Sequence, residues 1–252
     1  MRFLTSCMQC NRDRQDGDDI GWIKVAPNED GVTIEVCKNG HKFAHIIQQH
    51  KFELLSQMAV LAIHDGYYRD AIVSFSACLE RLREFFYFVS CLKSGISIEQ
   101  YAKSWKPMAN QSERQLGAFI ASFVFETGSA PTSLSTKWQG VRNDVVHKGK
   151  FADREMALDF GQEITNLANE IITVLNTNDF KEHIMNATRI QSNEKLSKYV
   201  AVGDYISTTY FDTYLSLLNI RLKENLRQYM HERAAFFDFD KSHIVQSGNM
   251  NK

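Results

Sequence analysis

The run from about Tyr67 to Leu92 limits the fold of this chain more than any other stretch. Ile72, Phe75, Leu79, Leu82, Phe86 and Val89 recur at helical spacing, and Cys78 and Phe85 widen the stripe. A helix this apolar cannot lie on a surface. It needs other helices, or a second copy of the chain, on most of its sides. The charged residues Glu80, Arg81, Arg83 and Glu84 fall mostly on the remaining face. They read as a solvated face with pairing three and four residues apart, and Glu80 is also a candidate for orienting a catalytic side chain.

Further helical patterns follow the same logic. A stripe of Phe52, Leu55, Ala59 and Ala62 predicts a helix from about Ala44 to His64, on which His45 and His50 face solvent. Gly95 ends the long helix, and a short one from Ser97 to about Lys106 is stopped by Pro107. Another runs from about Glu113 to Glu126, with Leu116, Phe119, Ile120 and Phe123 on its apolar side. Ser133 or Ser135 can cap a helix reaching His147, and Asp153 can cap one reaching about Asn176. With only 3 Pro in 252 residues and 44% hydrophobic residues, the chain is expected to be mainly α, with material for one large domain or two modest ones.

Between two apolar helices lies the run Val141-Arg142-Asn143-Asp144-Val145-Val146-His147-Lys148-Gly149. Helical geometry puts Asn143 and His147 on one face and Arg142 on its flank. Gly149 suits the position just after a helix, which leaves His147 and Lys148 in its last turn. Helix C-termini are electronegative and favour cationic side chains there. An imidazole suits general acid–base work near neutrality, and a guanidinium suits the charge that develops on a transferring phosphoryl group. Basic residues also occupy last turns for electrostatic reasons alone, so the spacing needs its context.

In that context Arg142-Asn143-x-x-x-His147, between long amphipathic helices, resembles the signature of the HEPN superfamily: an Arg, four to six residues, then a His. The resemblance covers roughly residues 50 to 176. It implies an all-helical bundle, usually a homodimer, and in many members a metal-independent endoribonuclease of toxin–antitoxin or antiviral defence systems. It implies that Arg142, Asn143 and His147 are catalytic, and that the pairs of two protomers form one composite site. RNA would be the substrate, and an antitoxin or other regulatory protein a further partner. Some HEPN toxins carry a tyrosine two places after the histidine, which an antitoxin modifies. Here that place is Gly149, so that form of control is not expected.

Residues 1–43 read differently. Cys7-Met8-Gln9-Cys10 is a Cys-x-x-Cys knuckle, and Cys37-Lys38-Asn39-Gly40-His41 offers a second pair of ligands. Between them, Ile20–Val25 and Val32–Val36 read as two strands of a β-hairpin turning at Pro27–Gly31. The whole resembles a small zinc ribbon with Cys7, Cys10, Cys37 and His41 as ligands of a structural Zn²⁺. His45 or His50 are alternatives to His41. Free thiols and a redox Cys-x-x-Cys are the other readings, and no thioredoxin-like pattern accompanies the latter.

The domains expected are thus a zinc-ribbon-like segment over 1–43, a helical domain over 44–176 and a partly helical extension over 177–252. In the extension, 178–198 is polar, 200–209 reads as a strand or loop, and 211–233 reads as an amphipathic helix carrying Arg221, Lys223, Arg227 and Arg233, either along an RNA path or facing water. Phe236, Phe237 and Phe239 are apolar enough to dock, and the last eight or so residues are expected to be disordered. Net charge is −1, from 29 basic and 30 acidic residues, which argues against a protein that coats nucleic acid but permits a local basic site. The first seven residues are too short an apolar run for a signal peptide, and no stretch is apolar enough to cross a membrane, so a cytoplasmic protein with reduced thiols is expected. A non-catalytic HEPN dimer that binds nucleic acid or protein is the alternative to a ribonuclease. A zinc hydrolase is the weakest reading, since four Cys/His ligands close a site.

Overall fold

The structure is a computed structural model describing residues 3–13, 22–197, 206–209, 213–217, 225–235 and 237. The chain divides into two compact units, one of Met1–His50 with Ile184–Asp212, the other of Lys51–His183 with Thr213–Lys252. Neither unit is continuous in sequence. The divisions fall at 50 and 183 rather than at the expected 43 and 176, because a strand continues beyond residue 43 and a later strand returns to it.

The first unit holds the strands. β1 (Phe3–Ser6) leads into a short helix α1 (Met8–Asp13), and β2 (Trp22–Val25) pairs antiparallel with β1. β3 (Val32–Val36) pairs antiparallel with β4 (Lys42–Ile47), and β4 pairs in parallel with β5 (Ile206–Thr209). The two strands read from the sequence are therefore present, but they do not pair with each other. The turn between them bonds locally instead: the Asn28 side chain accepts from Val32 N–H and donates to its carbonyl, and Gly31 takes φ 66°.

The expected helix from Ala44 is corrected here. Residues 43–47 alternate within β4 as Phe43, Ala44, His45, Ile46 and Ile47, all buried, and the helix begins only at Lys51. A short apolar run without polar alternation does not distinguish helix from strand. His45 and His50 are likewise buried, not solvent-facing. His50 donates from Nδ1 to Gln191 Oε1 at 2.7 Å and lies 3.2 Å from the Thr188 hydroxyl at Nε2.

The second unit is helical. α2 (Lys51–His64), α3 (Tyr68–Lys93), α4 (Ile98–Trp105), α5 (Ser112–Thr127), α6 (Thr136–His147) and α7 (Arg154–Leu175) follow in order. α8 (Asn178–Ser197) starts in this unit and ends in the first. α3 is the axis, packed against α2, α5, α6 and α7. Its Phe86 ring meets Phe119, Phe123 and Phe180 at 5.4–5.8 Å between centroids. Helix ends match their local chemistry: Ser97 caps α4, Asp153 caps α7, and Gly95, Gly128 and Gly149 have positive φ. Among the described residues no helix is long and apolar enough to cross a membrane.

The segment 213–217 is buried and irregular, which corrects the expected single helix over 211–233; within the described residues the helix runs over 226–235. α2 supplies what the irregular backbone lacks. Gln57 Oε1 accepts from Tyr214 N–H, Ser56 Oγ from Leu215 N–H, and Glu53 Oε1 from Leu217 N–H, each at 3.0 Å. Arg227 is bound by Glu155 and Asp159 on α7, so it does not offer an open RNA path. Arg221, Lys223, Phe236, Phe239 and the last residues lie outside the described residues.

Two outcomes follow from this packing. An added Cβ at Gly161 of α7 would lie 2.5 Å from the Phe75 ring and 2.6 Å from Leu226. Gly161→Ala should cost a net of about 1–2 kcal/mol in urea unfolding, because overpacking outweighs the roughly 1 kcal/mol that alanine gains in a helix. Burial pushes the His45 imidazole down to about 4. The unfolded chain protonates this residue below about 6.5, so its contribution to stability is lost as pH falls from about 6.5 towards about 4. His45→Gln should flatten the urea midpoint over that window relative to the wild type.

Candidate functional site

Three anchors fix α6. Trp138 stands edge-on to Phe160 of α7 with centroids 5.8 Å apart, Val145 is fully buried, and Arg142 reaches α3. The helix ends where the sequence predicts. His147 is its last residue, and the Asp144 carbonyl accepts from the backbone N–H of Lys148 and of Lys150. The Asp144 carboxylate, held below its ordinary range by the Lys148 ammonium, also binds Lys148 at 2.8 Å.

On this frame Arg142, Asn143 and His147 come together. Arg142 Nη1 lies 3.2 Å from His147 Nε2 and 3.2 Å from Asn143 Oδ1, while its Nη2 donates to Glu80 Oε1 at 3.0 Å. A guanidinium has no acceptor, so the contact requires the lone pair of His147 on Nε2 and selects the Nδ1–H tautomer. Glu80 and Arg142 are both partly exposed, so their ion pair contributes under about 1 kcal/mol to stability. Its effect is positional: it fixes the guanidinium plane.

The reading of Glu80–Glu84 as a solvated face is corrected in part. Arg81 does pair with Glu84, but Glu80 turns to Arg142, and Arg83 is half-buried with its Nε shut off from solvent. α6 and α5 cover the side of α3 that apolar periodicity leaves polar. A cleft of about 310 Å³ opens there, with Leu79, Leu116 and Phe160 among its apolar walls and Arg83, Arg142 and Asn143 among its polar ones. Arg83, which reads in the sequence as part of a solvated face, lines this cleft one turn after Glu80.

The first unit carries a second chemistry. Cys7, Cys10, Cys37 and His41 place their ligand atoms within 4.8 Å of one another, and they could hold a metal ion. Each ligand pair follows the first strand of a hairpin: Cys7 and Cys10 follow β1, and Cys37 and His41 occupy the turn between β3 and β4. Gly40 takes φ 79° there, its N–H donating to the Cys37 carbonyl, while Cys37 N–H donates to the His41 carbonyl. All three thiols are buried, with Phe43 among them, and none of the chain's cysteines is in a disulfide. Burial pushes the Cys10 thiol up to about 11; at Cys37 burial is outweighed by backbone N–H groups of His41 and Asn39, and its pKa falls. His41, not His45 or His50, completes the set.

Asn39 Nδ2 donates to Cys10 Sγ at 3.3 Å, orienting that sulfur from outside the cluster. Asn39→Ala should therefore lower metal affinity by about tenfold in a chelator competition, and Cys10→Ser should abolish stoichiometric metal in elemental analysis.

No protein-family model, curated protein or solved structure matches this chain, and the roles of these residues rest on their own geometry and chemistry.

Proposed function

We propose that the chain is an endoribonuclease of the HEPN type that cuts RNA with Arg142 and His147. The observation that carries this reading is the 3.2 Å approach of Arg142 Nη1 to His147 Nε2 at a capped helix end beside an open cleft. The groups gathered there are one imidazole, one amide and a guanidinium held by a carboxylate, a set that suits proton transfer and charge neutralisation.

In the reaction, His147 Nε2 takes the proton of a 2′-hydroxyl. The 2′-oxygen attacks the adjacent phosphorus, the bond to the 5′-oxygen breaks, and that oxygen leaves with a proton. The products are a 2′,3′-cyclic phosphate and a 5′-hydroxyl. Arg142 neutralises the phosphorane oxygens, Asn143 positions one of them, and Glu80 holds Arg142 in place. The proton for the leaving group comes from the partner's His147 in a homodimer that joins two such pairs. Phe151, 88% exposed only four residues beyond His147, is the apolar surface that such a dimer would cover. The biological setting of this reading is antiviral or toxin-type defence.

The metal in this reading is a structural zinc. Its ordinary bond lengths imply tetrahedral edges of about 3.8 Å between sulfurs and about 3.6 Å from sulfur to nitrogen. Cys10 and Cys37 lie 3.6 Å apart, and His41 Nδ1 lies 3.4, 3.5 and 3.8 Å from Cys10, Cys37 and Cys7. Four protein ligands leave no open position, so zinc would stabilise the fold rather than take part in cleavage.

Purified protein incubated with total RNA in EDTA should yield cyclic-phosphate ends. His147→Ala and Arg142→Ala should each slow cleavage by about 10²–10⁴-fold. Equal cleavage by these variants would refute the reading, and RNA binding without cleavage by any of them would identify a binding module instead.

A further inference from the structure

Among the described residues lining the cleft, Arg83 is the one cation whose hydrogen-bonding capacity the fold leaves unspent. Its Nε is buried without an acceptor, and among the described residues its guanidinium makes no hydrogen bond and no ion pair within 4.0 Å. Its head group is held 5.4 Å above the Phe119 ring, which fixes it without using its N–H donors. Glu80 and Glu170 attract it only at longer range, and Glu80 is already bound by Arg142. A half-buried guanidinium whose Nε is shut away from water without an acceptor is costly to a fold, so an anion arriving there gains from it. The planar donor fork of arginine matches phosphate.

The surroundings narrow the ligand. Arg83 and Arg142 line the same cleft, so a chain that puts one phosphate on Arg142 can put another on Arg83. Leu79, Leu116, Leu134, Phe160 and Ile164 all line the cleft, an apolar surface suited to a heterocyclic base. At about 310 Å³ the space is at the small end of ligand sites and has room for one nucleotide rather than several.

We infer that this cleft seats one nucleotide of the RNA beside the scissile phosphate, its base against the apolar walls and its outer phosphate on Arg83. The inference rests on the ribonuclease reading and adds Arg83 as a substrate-binding residue that does not touch the reacting atoms.

The test measures binding without cleavage. A short fluorescein-labelled 2′-O-methyl oligoribonucleotide, which has no hydroxyl to attack, is titrated by anisotropy against wild type, Arg83→Met and Arg83→Lys at several salt concentrations. Methionine keeps an apolar contact with Phe119 and removes the charge. The expected result is at least tenfold weaker binding for Arg83→Met, a log–log salt slope smaller by about 0.7, and recovery of that slope in Arg83→Lys. Wild-type affinity and slope in Arg83→Met would overturn the inference and make Arg83 a packing residue, the more so if its melting temperature falls. No binding by wild type would also overturn it, as would adenosine 5′-monophosphate binding more tightly than the oligonucleotide. Cleavage that persists in His147→Ala overturns the Arg142–His147 reaction and with it the placement of this nucleotide beside the scissile phosphate, a failure distinct from binding that ignores Arg83. Binding that depends on Arg83 without cleavage leaves the cleft a nucleotide site with another use.

Discussion

The second unit depends on covering one helix. α3 buries Ala71, Ile72, Phe75, Cys78, Leu79, Leu82, Phe85, Phe86, Phe88 and Val89, residues spread over most of its circumference. Burying a side chain of this size is worth roughly 1.5–3 kcal/mol, so leaving any side of the helix in water would cost more than a domain's net stability can absorb. α2, α5 and α7 therefore surround it, and α6 closes the polar gap that remains. Glu80 and Arg83 lie in that gap, on the part of α3 that the apolar stripe leaves polar. The candidate site is thus a by-product of completing the core, held by the same contacts that stabilise it.

The first unit solves the opposite problem. It has two small buried clusters, one of Val32, Ala44 and Ile46 on its strands and one of three thiols with Phe43. A metal bound to Cys7, Cys10, Cys37 and His41 would cross-link two hairpins whose strands do not otherwise pair with one another. Cys7 and Cys10 sit at the start of α1 and Cys37 and His41 in the β3–β4 turn, where local hydrogen bonds and Gly40 set their geometry before any long-range contact forms.

What could be read from the sequence was what depends on near neighbours. The stripe of α3, the Asp153 cap, the stop after His147 and both ligand pairs are encoded within a few residues. The approach of Arg142 to His147 is also local, being five residues along one helix. What could not be read was set at long range. β3 is a strand in any pairing, but its partner is β4 rather than β2. Phe43–Ile47 is apolar apart from His45 and is buried on both faces, so its period is silent about helix or strand until β5 arrives beside it. Arg83 looks like a surface residue because periodicity reports which face is apolar and not whether another helix covers the polar face. Residues 213–217 carry no pattern, since their backbone donors are satisfied by side chains of α2 and not by their own neighbours.

Those α2 bonds, and the parallel pairing of β4 with β5, also set an order of assembly. Ala44 meets Ile206, and Glu53 meets Leu217, 164 residues further along the chain. A ribosome making this protein from its N-terminus exposes β4 with one edge unpaired, and α2 with buried-face acceptors unfilled, until most of the chain has emerged. Contacts that span so much sequence close slowly, because the intervening loop entropy must be lost first. α3, α5, α6 and α7 can gather earlier from contacts nearer in sequence, so the Arg142–His147 pair can form before either compact unit is complete. Nascent protein would then carry its candidate site before the rest of the molecule has closed.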